Sequence, residues 1–184
     1  MRIIAGEFGS RRIQTPTGTS TRPTLDKTRE SLFNILSGRL AGARVLDLFA
    51  GSGALGLEAL SRGAAHADFC DNSRQAAMAI AQNISSLQLE PRTRLLRMDW
   101  SLALQTLAGE SNRYDLIFLD PPYQTDYAPI LWRVADYRLL STNGLVIAEH
   151  DVKNDLSLPE GLAFSRQKDY RETRIDFIHA ERPT

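Results

Sequence analysis

From residue 44 to residue 119 the chain alternates short apolar runs with stretches whose apolar residues recur at helical spacing, and this alternation narrows the fold more than any other feature. The reading is strand 44–49, helix 54–62, strand 66–71, helix 73–87, strand 93–98, a short helix 101–108 and strand 114–119. Ala76, Ala77, Ile80, Ile84 and Leu87 form one stripe of the second helix. Strands separated by single helices pair in parallel, with helices covering both faces of the sheet. A further helix near 127–138 leads to strand 144–149, and segments 162–170 and 173–179 pair as an antiparallel hairpin across Tyr170-Arg171-Glu172-Thr173. Upstream, 2–5 and 11–15 read as two short strands around Gly6-Glu7-Phe8-Gly9-Ser10. Thr24 then caps a helix with Leu25, Leu32, Phe33 and Leu36 on one face, ending at Gly38. The expected organisation is a basic hairpin and linker over 1–23 and one α/β domain over 24–184.

A chain of 184 residues can bury about 70% of its unfolded surface around one core. No run approaches the roughly 18 apolar residues of a membrane span, and Met1-Arg2-Ile3-Ile4-Ala5-Gly6-Glu7 has no apolar secretory core. A cytoplasmic location without a membrane partner is expected. One cysteine, Cys70, and three scattered histidines give neither an internal disulfide nor zinc-ligand spacing, so no metal is expected. Net charge is zero, yet residues 1–44 carry eight Lys/Arg against three Asp/Glu, and the remainder carries 14 against 19. The basic part is either a solvated face or a patch that steers a polyanion.

Asp120-Pro121-Pro122-Tyr123 closes the apolar run 114–119. A buried strand there delivers a carboxylate, a stiff backbone carbonyl and an aromatic face to one point. A nucleobase amine is a poor nucleophile because its lone pair is delocalised into the ring. Acceptors at its two N–H bonds, the Asp120 carboxylate and the Pro121 carbonyl, favour pyramidal nitrogen and free that lone pair. Tyr123 stacks on the base, a contact of roughly 1–3 kcal/mol.

Strand 44–49 runs into Ala50-Gly51-Ser52-Gly53-Ala54-Leu55-Gly56, whose glycine spacing fits a dinucleotide loop and equally a tight strand-to-helix turn. Asp47 discriminates between ligands. An acid in an apolar strand is costly without a partner; it repels a pyrophosphate, whereas S-adenosylmethionine offers it an α-ammonium and a sulfonium. Asp71, twenty residues after Gly51 and followed by Asn72, is placed to take two ribose hydroxyls. Asp99 is placed to accept from an adenine amine, with Trp100 alongside the ring. Cys70 reads as core packing, and Glu149 and His150 read as structural because no third partner is visible.

The run Asp47 to Gly63, followed by Asp120-Pro121-Pro122-Tyr123, resembles the class I S-adenosylmethionine-dependent methyltransferases of the RsmD type, which methylate N2 of a guanine in bacterial small-subunit ribosomal RNA. Arg2-Ile3-Ile4-Ala5-Gly6 and the segment Arg22 to Asn34 extend the resemblance over nearly the full length. It implies a Rossmann-like, mostly parallel seven-stranded sheet ending in an antiparallel hairpin. Asp47, Ala50, Gly51, Ser52 and Gly53 would hold the methionine part of the cofactor, Asp71 and Asn72 the ribose, and Asp99 and Trp100 the adenine. Asp120, Pro121 and Tyr123 would act on a flipped guanine, and Pro122, Arg11, Arg12, Arg22, Thr24 and Arg29 would meet RNA. The implied partner is 16S rRNA, within a small subunit or an assembly intermediate, met by a monomer. Arg171 stands where such proteins often have glycine. Two other readings share these residues: a DNA adenine or cytosine amino methyltransferase, for whose recognition insertion there is no spare length, and a nucleotide-binding Rossmann module without catalysis, which leaves Asp47 and Asp120 unexplained. A protein glutamine methyltransferase would place asparagine at position 120.

Overall fold

The computed structural model describes residues 1–16, 23–122 and 124–181, with the backbone alone for 23–25. Arg22, Tyr123 and the side chain of Thr24 therefore lie outside the described residues. Seven strands are joined by five α-helices in the order α1 (Pro23–Ile35), β1 (Arg44–Asp47), α2 (Ala54–Ser61), β2 (His66–Cys70), α3 (Arg74–Ser86), β3 (Thr93–Leu96), α4 (Trp100–Gly109), β4 (Tyr114–Leu119), α5 (Ala128–Asp136), β5 (Leu140–Asp151), β6 (Leu162–Tyr170) and β7 (Thr173–Ala180). They form one sheet in the order β3-β2-β1-β4-β5-β7-β6. The first five strands are parallel, and β7 runs antiparallel between β5 and β6.

The central strands carry unbroken apolar stretches, Val45–Leu46 in β1, Phe69–Cys70 in β2 and Leu116–Leu119 in β4, because both of their faces are covered. Val45, Phe69, Leu116, Phe118, Leu145 and Ile147 face the cluster built by α1, α2 and α3, where Phe33 packs on Phe118 with ring centroids 5.7 Å apart. Leu46, Cys70, Ile117, Leu119, Val146 and Ala148 face the cluster built by α4 and α5. Chain order reverses between β1 and β4: β2 and β3 continue to one side, β5 to the other. The crevice at this switch, beyond the carboxyl ends of the strands, is where ligands collect in open parallel sheets.

Two expected elements differ in the structure. The hairpin over 2–5 and 11–15 closes by one bridge between Arg2 and Arg12, with the Ile3 amide donating to the Arg11 carbonyl at 2.9 Å. No extended pair forms because the Ile4 and Ala5 amides donate to the Glu58 carboxylate of α2, at 2.7 and 3.2 Å. Ile3 and Ile13 enter the core beneath them. The strand expected at 144–149 runs over 140–151, since β7 pairs with it out to Asp151 and its start reaches back to Tyr114 across an irregularity. Gly144 permits that irregularity: a Cβ there would stand 2.6 Å from the Tyr114 carbonyl oxygen. Arg171 turns the β6–β7 hairpin at a φ of 56°, a left-handed conformation that glycine adopts more readily.

Gly56 sets how closely α2 approaches the sheet. A Cβ at this position would lie 2.3 Å from Cε1 of Phe69 on β2. Gly56→Ala is expected to destabilise the fold by about 1–3 kcal/mol through overpacking. Chemical denaturation measures this, and a second substitution, Phe69→Leu, should recover part of the loss. Glu58 is fully buried, and besides the two amides it accepts from Arg62 Nε at 2.6 Å. Glu58→Ala leaves the half-buried Arg62 cation and two amides without their acceptor, at an expected loss of about 2–3 kcal/mol. The Ile4 and Ala5 amides should then exchange with solvent far faster than in the parent protein.

Candidate active site

Each acid singled out from the sequence sits at the carboxyl end of a parallel strand or just beyond it. Asp47 ends β1 with 2% exposure, and its Oδ2 accepts from the Gly56 amide at 3.0 Å. Helix α2 needs that acceptor. Its capping residue is Gly53, held left-handed at a φ of 78° and without a side chain to offer. Burial drives the Asp47 carboxyl up to about 7, and nearby Asp120 and Asp71 push it the same way. A cation beside Asp47 would reverse that penalty.

The loop after β1 is tied down on several sides. The Ala50 amide donates to the Cys70 carbonyl at 2.9 Å, and the Gly53 amide to the Ala50 carbonyl at 2.6 Å. Asp71 Oδ2 accepts from the Gly51 amide at 2.9 Å, while its Oδ1 accepts from the Ser73 amide at 2.8 Å. Gly51 has a φ of 57°, and nothing lies within 4 Å of where its Cβ would point. That open space is the approach a ligand would need. Ser52 is buried, its hydroxyl beside the Met1 sulfur at 3.7 Å and its carbonyl accepting from Asn83 at 2.9 Å. It shapes the loop from behind. Asn72 is exposed in the turn into α3.

Asp99 is exposed and caps α4, its Oδ1 accepting from the Ser101 amide at 2.9 Å and from the Ser101 hydroxyl at 2.6 Å. Those bonds hold its carboxyl below the usual range. Trp100 opens α4, and the Arg133 guanidinium stands 5.1 Å from its ring centroid. The buried Cys70 thiol feels Asp71, Asp99 and Asp47, so these acids gather around one end of β2. Cys70 itself belongs to the core, its pKa pushed up to about 12 by burial.

Asp120 follows β4 directly, opposite the glycine loop across the β1–β4 switch. Its carboxyl interacts electrostatically with Asp47. On its other side lies a cleft of about 480 Å³, lined by Asp120, Pro121, Pro122, Tyr127, Glu149 and His150 together with residues 151–157 and 172–173 in part. Asp120 keeps an exposed edge at the lip of the cleft, and the protein packed around the rest of it raises its pKa to about 6 by desolvation. Leu119 pairs with Ala148, so Asp120 and Glu149 follow side by side on adjacent parallel strands. Burial and the Asp120 charge also push Glu149 up. Sequence reasoning set Glu149 aside for want of a partner; the β4–β5 register supplies one in Asp120. His150 has a partner too, with Nε2 2.9 Å from Asp176 Oδ2 and Nδ1 2.9 Å from the Asp151 carbonyl. Asp176 lies 26 positions away and is paired only by the antiparallel turn of β7.

The basic residues divide. Arg11 and Arg12 are exposed on the amino-terminal turn. Arg29, expected at an RNA surface, is 7% exposed and points inward, donating to the Arg2 carbonyl at 2.6 Å and to Asp26 at 3.1 Å. Burial lowers its pKa. Its guanidinium fastens the amino-terminal segment to α1, which corrects the expectation of a phosphate contact. Among the described residues no group of acids, histidines and cysteine is arranged to hold a metal ion, and no helix is long and apolar enough to cross a membrane.

Comparison with known proteins covers nearly the whole chain. Residues 1–179 match the family model described as "Conserved hypothetical protein 95". A relative from Bacillus subtilis (strain 168), named "Putative rRNA methyltransferase YlbH", is 40% identical over 179 residues, 95% of this chain and 96% of its own. "Ribosomal RNA small subunit methyltransferase D" from Escherichia coli (strain K12) is 34% identical over 170 residues, 91% of this chain and 84% of its own. The solved structure of "Putative methyltransferase yhhF" from Escherichia coli superposes with a TM-score of 0.85 at 28% identity, over 98% of both chains. With the strand-end acids, the glycine loop and the Asp-Pro-Pro turn assembled on a class I methyltransferase sheet, and with relatives matched from end to end, the chain belongs to the RsmD-like methyltransferase family.

Proposed function

We propose that this protein methylates ribosomal RNA of the small subunit, transferring the methyl group of S-adenosylmethionine to the exocyclic N2 amine of a flipped guanine. The observation that carries the reading is the position of Asp120, between a glycine loop backed by the buried Asp47 carboxylate and a 480 Å³ cleft on the far side. The names of the relatives support ribosomal RNA as the substrate.

The residues fit the cofactor. Asp47, destabilised by burial, gains from a cationic ligand. The open side of Gly51 leaves the loop backbone approachable. Asp47 and the loop Ala50 to Gly53 would hold the methionine end, Asp71 and Asn72 the ribose, and Asp99 with Trp100 the adenine. When bound, S-adenosylmethionine supplies an electrophilic methyl group on a sulfonium that departs as a neutral thioether.

The chain's own work is positioning, which supplies much of the rate enhancement in such transfers. Asp120 and the Pro121 carbonyl accept the two N–H bonds of the amine and aim its lone pair across the β1–β4 switch; after the methyl group arrives, the nitrogen gives up one proton to Asp120 or to water. Pro122 shapes the approach, and Tyr123 stacks on the base. A guanine must leave its stack to enter, at a cost of a few kcal/mol, and the amino-terminal residues Arg11, Arg12 and Arg22, with Thr24, would hold the surrounding phosphates. The chain acts on this scheme as a monomer, on free RNA or on a particle.

Incubation with labelled S-adenosylmethionine and small-subunit RNA or particles, followed by nucleoside mass spectrometry, tests the reading; a product other than N2-methylguanosine overturns it. Asp120→Ala is expected to lower kcat by about 10²–10³-fold. Asp120→Asn should cost less, since its amide oxygen still accepts one N–H. Neither should change S-adenosylhomocysteine affinity more than a few-fold by calorimetry. Because the Asp120 pKa is raised, the ionised acceptor disappears at a higher pH than for a free aspartate. Activity should therefore rise with pH along an acid limb displaced upward from the ordinary carboxylate range, to about 6, because burial disfavours the ionised form of Asp120. Asp47→Asn keeps an oxygen for the Gly56 amide and removes a buried charge. It should leave the free protein at least as stable while weakening S-adenosylhomocysteine, which retains the α-ammonium, by about 10- to 100-fold.

A further inference from the structure

Asp120 and Pro121 account for the amine but not for the choice of base, since adenine and cytosine also carry a planar amino group. Discrimination has to come from the ring atom beside it. In guanine that atom is N1 and bears hydrogen; in adenine it is N1, and in cytosine N3, each with a lone pair. A carboxylate next to the amine site accepts from the first and repels the other two.

Glu149 occupies that place. Leu119 of β4 is in register with Ala148 of β5, so Glu149 follows one strand spacing, about 4.8 Å, from Asp120. Both residues line the same cleft. The backbone at Glu149 is fixed from two directions: the Tyr127 hydroxyl donates to its carbonyl, and Ile175 of β7 pairs with it. His150 next along is locked to Asp176 and to the Asp151 carbonyl and so does not compete for the Glu149 carboxylate. The side chain is half-buried yet open to the cleft; burial and the Asp120 charge push its carboxyl up to about 8, so the guanine preference is measured above that pH, where the carboxylate is ionised and accepts from N1–H.

We infer that Glu149 is the specificity-determining residue of the acceptor site, its carboxylate accepting the N1–H of guanine while Asp120 and Pro121 hold N2. The inference rests on the proposed methylation of guanine N2 and adds the group that selects the base. It assigns a role in recognition, and Asp120 retains the contact with the reacting nitrogen.

The test uses 2,6-diaminopurine, which keeps the N2 amine but carries a lone pair at N1. Wild-type protein first locates its own target: N2-methylguanosine is mapped in small-subunit RNA, free or in particles, whichever is modified. Ligated RNA with 2,6-diaminopurine at that position is then compared with the guanine form. Wild type should prefer guanine by roughly 10- to 100-fold in kcat/KM, the worth of one hydrogen bond to a charged group. Glu149→Gln, whose amide can donate to the N1 lone pair as well as accept from N1–H, should reduce this preference at least about tenfold, with S-adenosylhomocysteine affinity by calorimetry as in wild type. A general packing defect would slow both substrates alike. Wild type that methylates both bases equally, or a Glu149→Gln preference equal to that of wild type, overturns the inference while leaving guanine methylation in place. Absence of N2-methylguanosine with wild type overturns the underlying reading and this inference with it.

Discussion

The buried carboxylate of Asp47 is the constraint around which the site is organised. It ends β1 in a nearly dry position, and the fold retains it because the amide of Gly56 needs an acceptor that the αL cap Gly53 does not provide. One hydrogen bond offsets only part of the desolvation of an ionised acid. The remainder stands as a site that a positive charge can relieve, and it lies one strand away from Asp120. The cap of α2 and the electrostatic preference of this end of β1 for a cation thus trace back to a single side chain. The glycine loop alone would not have this effect, since its left-handed residues are compatible with any ligand that approaches backbone closely.

The sheet topology then decides which groups can cooperate. Reversal of chain order at β1 and β4 brings two strand ends together that are 73 residues apart from Asp47 to Asp120. Two different surfaces flank Asp120: the loop after β1 on one side, the cleft walled by β5 and the turn into β7 on the other. The antiparallel β7 has its own part in this. It buries Asp176 against His150 and braces the end of β5 where Glu149 emerges.

Much of this was legible in the residues. The alternation over 44–119 placed each of its strands and helices within a few positions, because continuous apolar strands and striped helices are direct images of a sheet covered on both sides. Asp47, Asp71 and Asp99 stood out as acids at strand ends. Their structural bonds did not, since an acid that caps a helix or ties a loop looks the same in one dimension as an acid that waits for a ligand. Arg29 was misread for the opposite reason: basic residues are expected outside, and only the carbonyl of Arg2 and the carboxylate of Asp26 turn it inward. Glu149 and His150 were passed over because their partners, Asp120 and Asp176, come from other strands. Register between distant segments is the information that a linear pattern carries least well.

Asn83 joins two regions that function would otherwise keep separate. Its side chain accepts from the Gln14 amide at 2.7 Å and donates to the Gln14 carbonyl and to the Ser52 carbonyl, both at 2.9 Å. With Met1 against the Ser52 hydroxyl, the first residues of the chain brace the turn after β1 from the rear. Trimming the amino terminus would consequently do more than remove the exposed Arg11 and Arg12: it would strip a prop from behind the glycine loop, so that two features far apart in the sequence would be lost together.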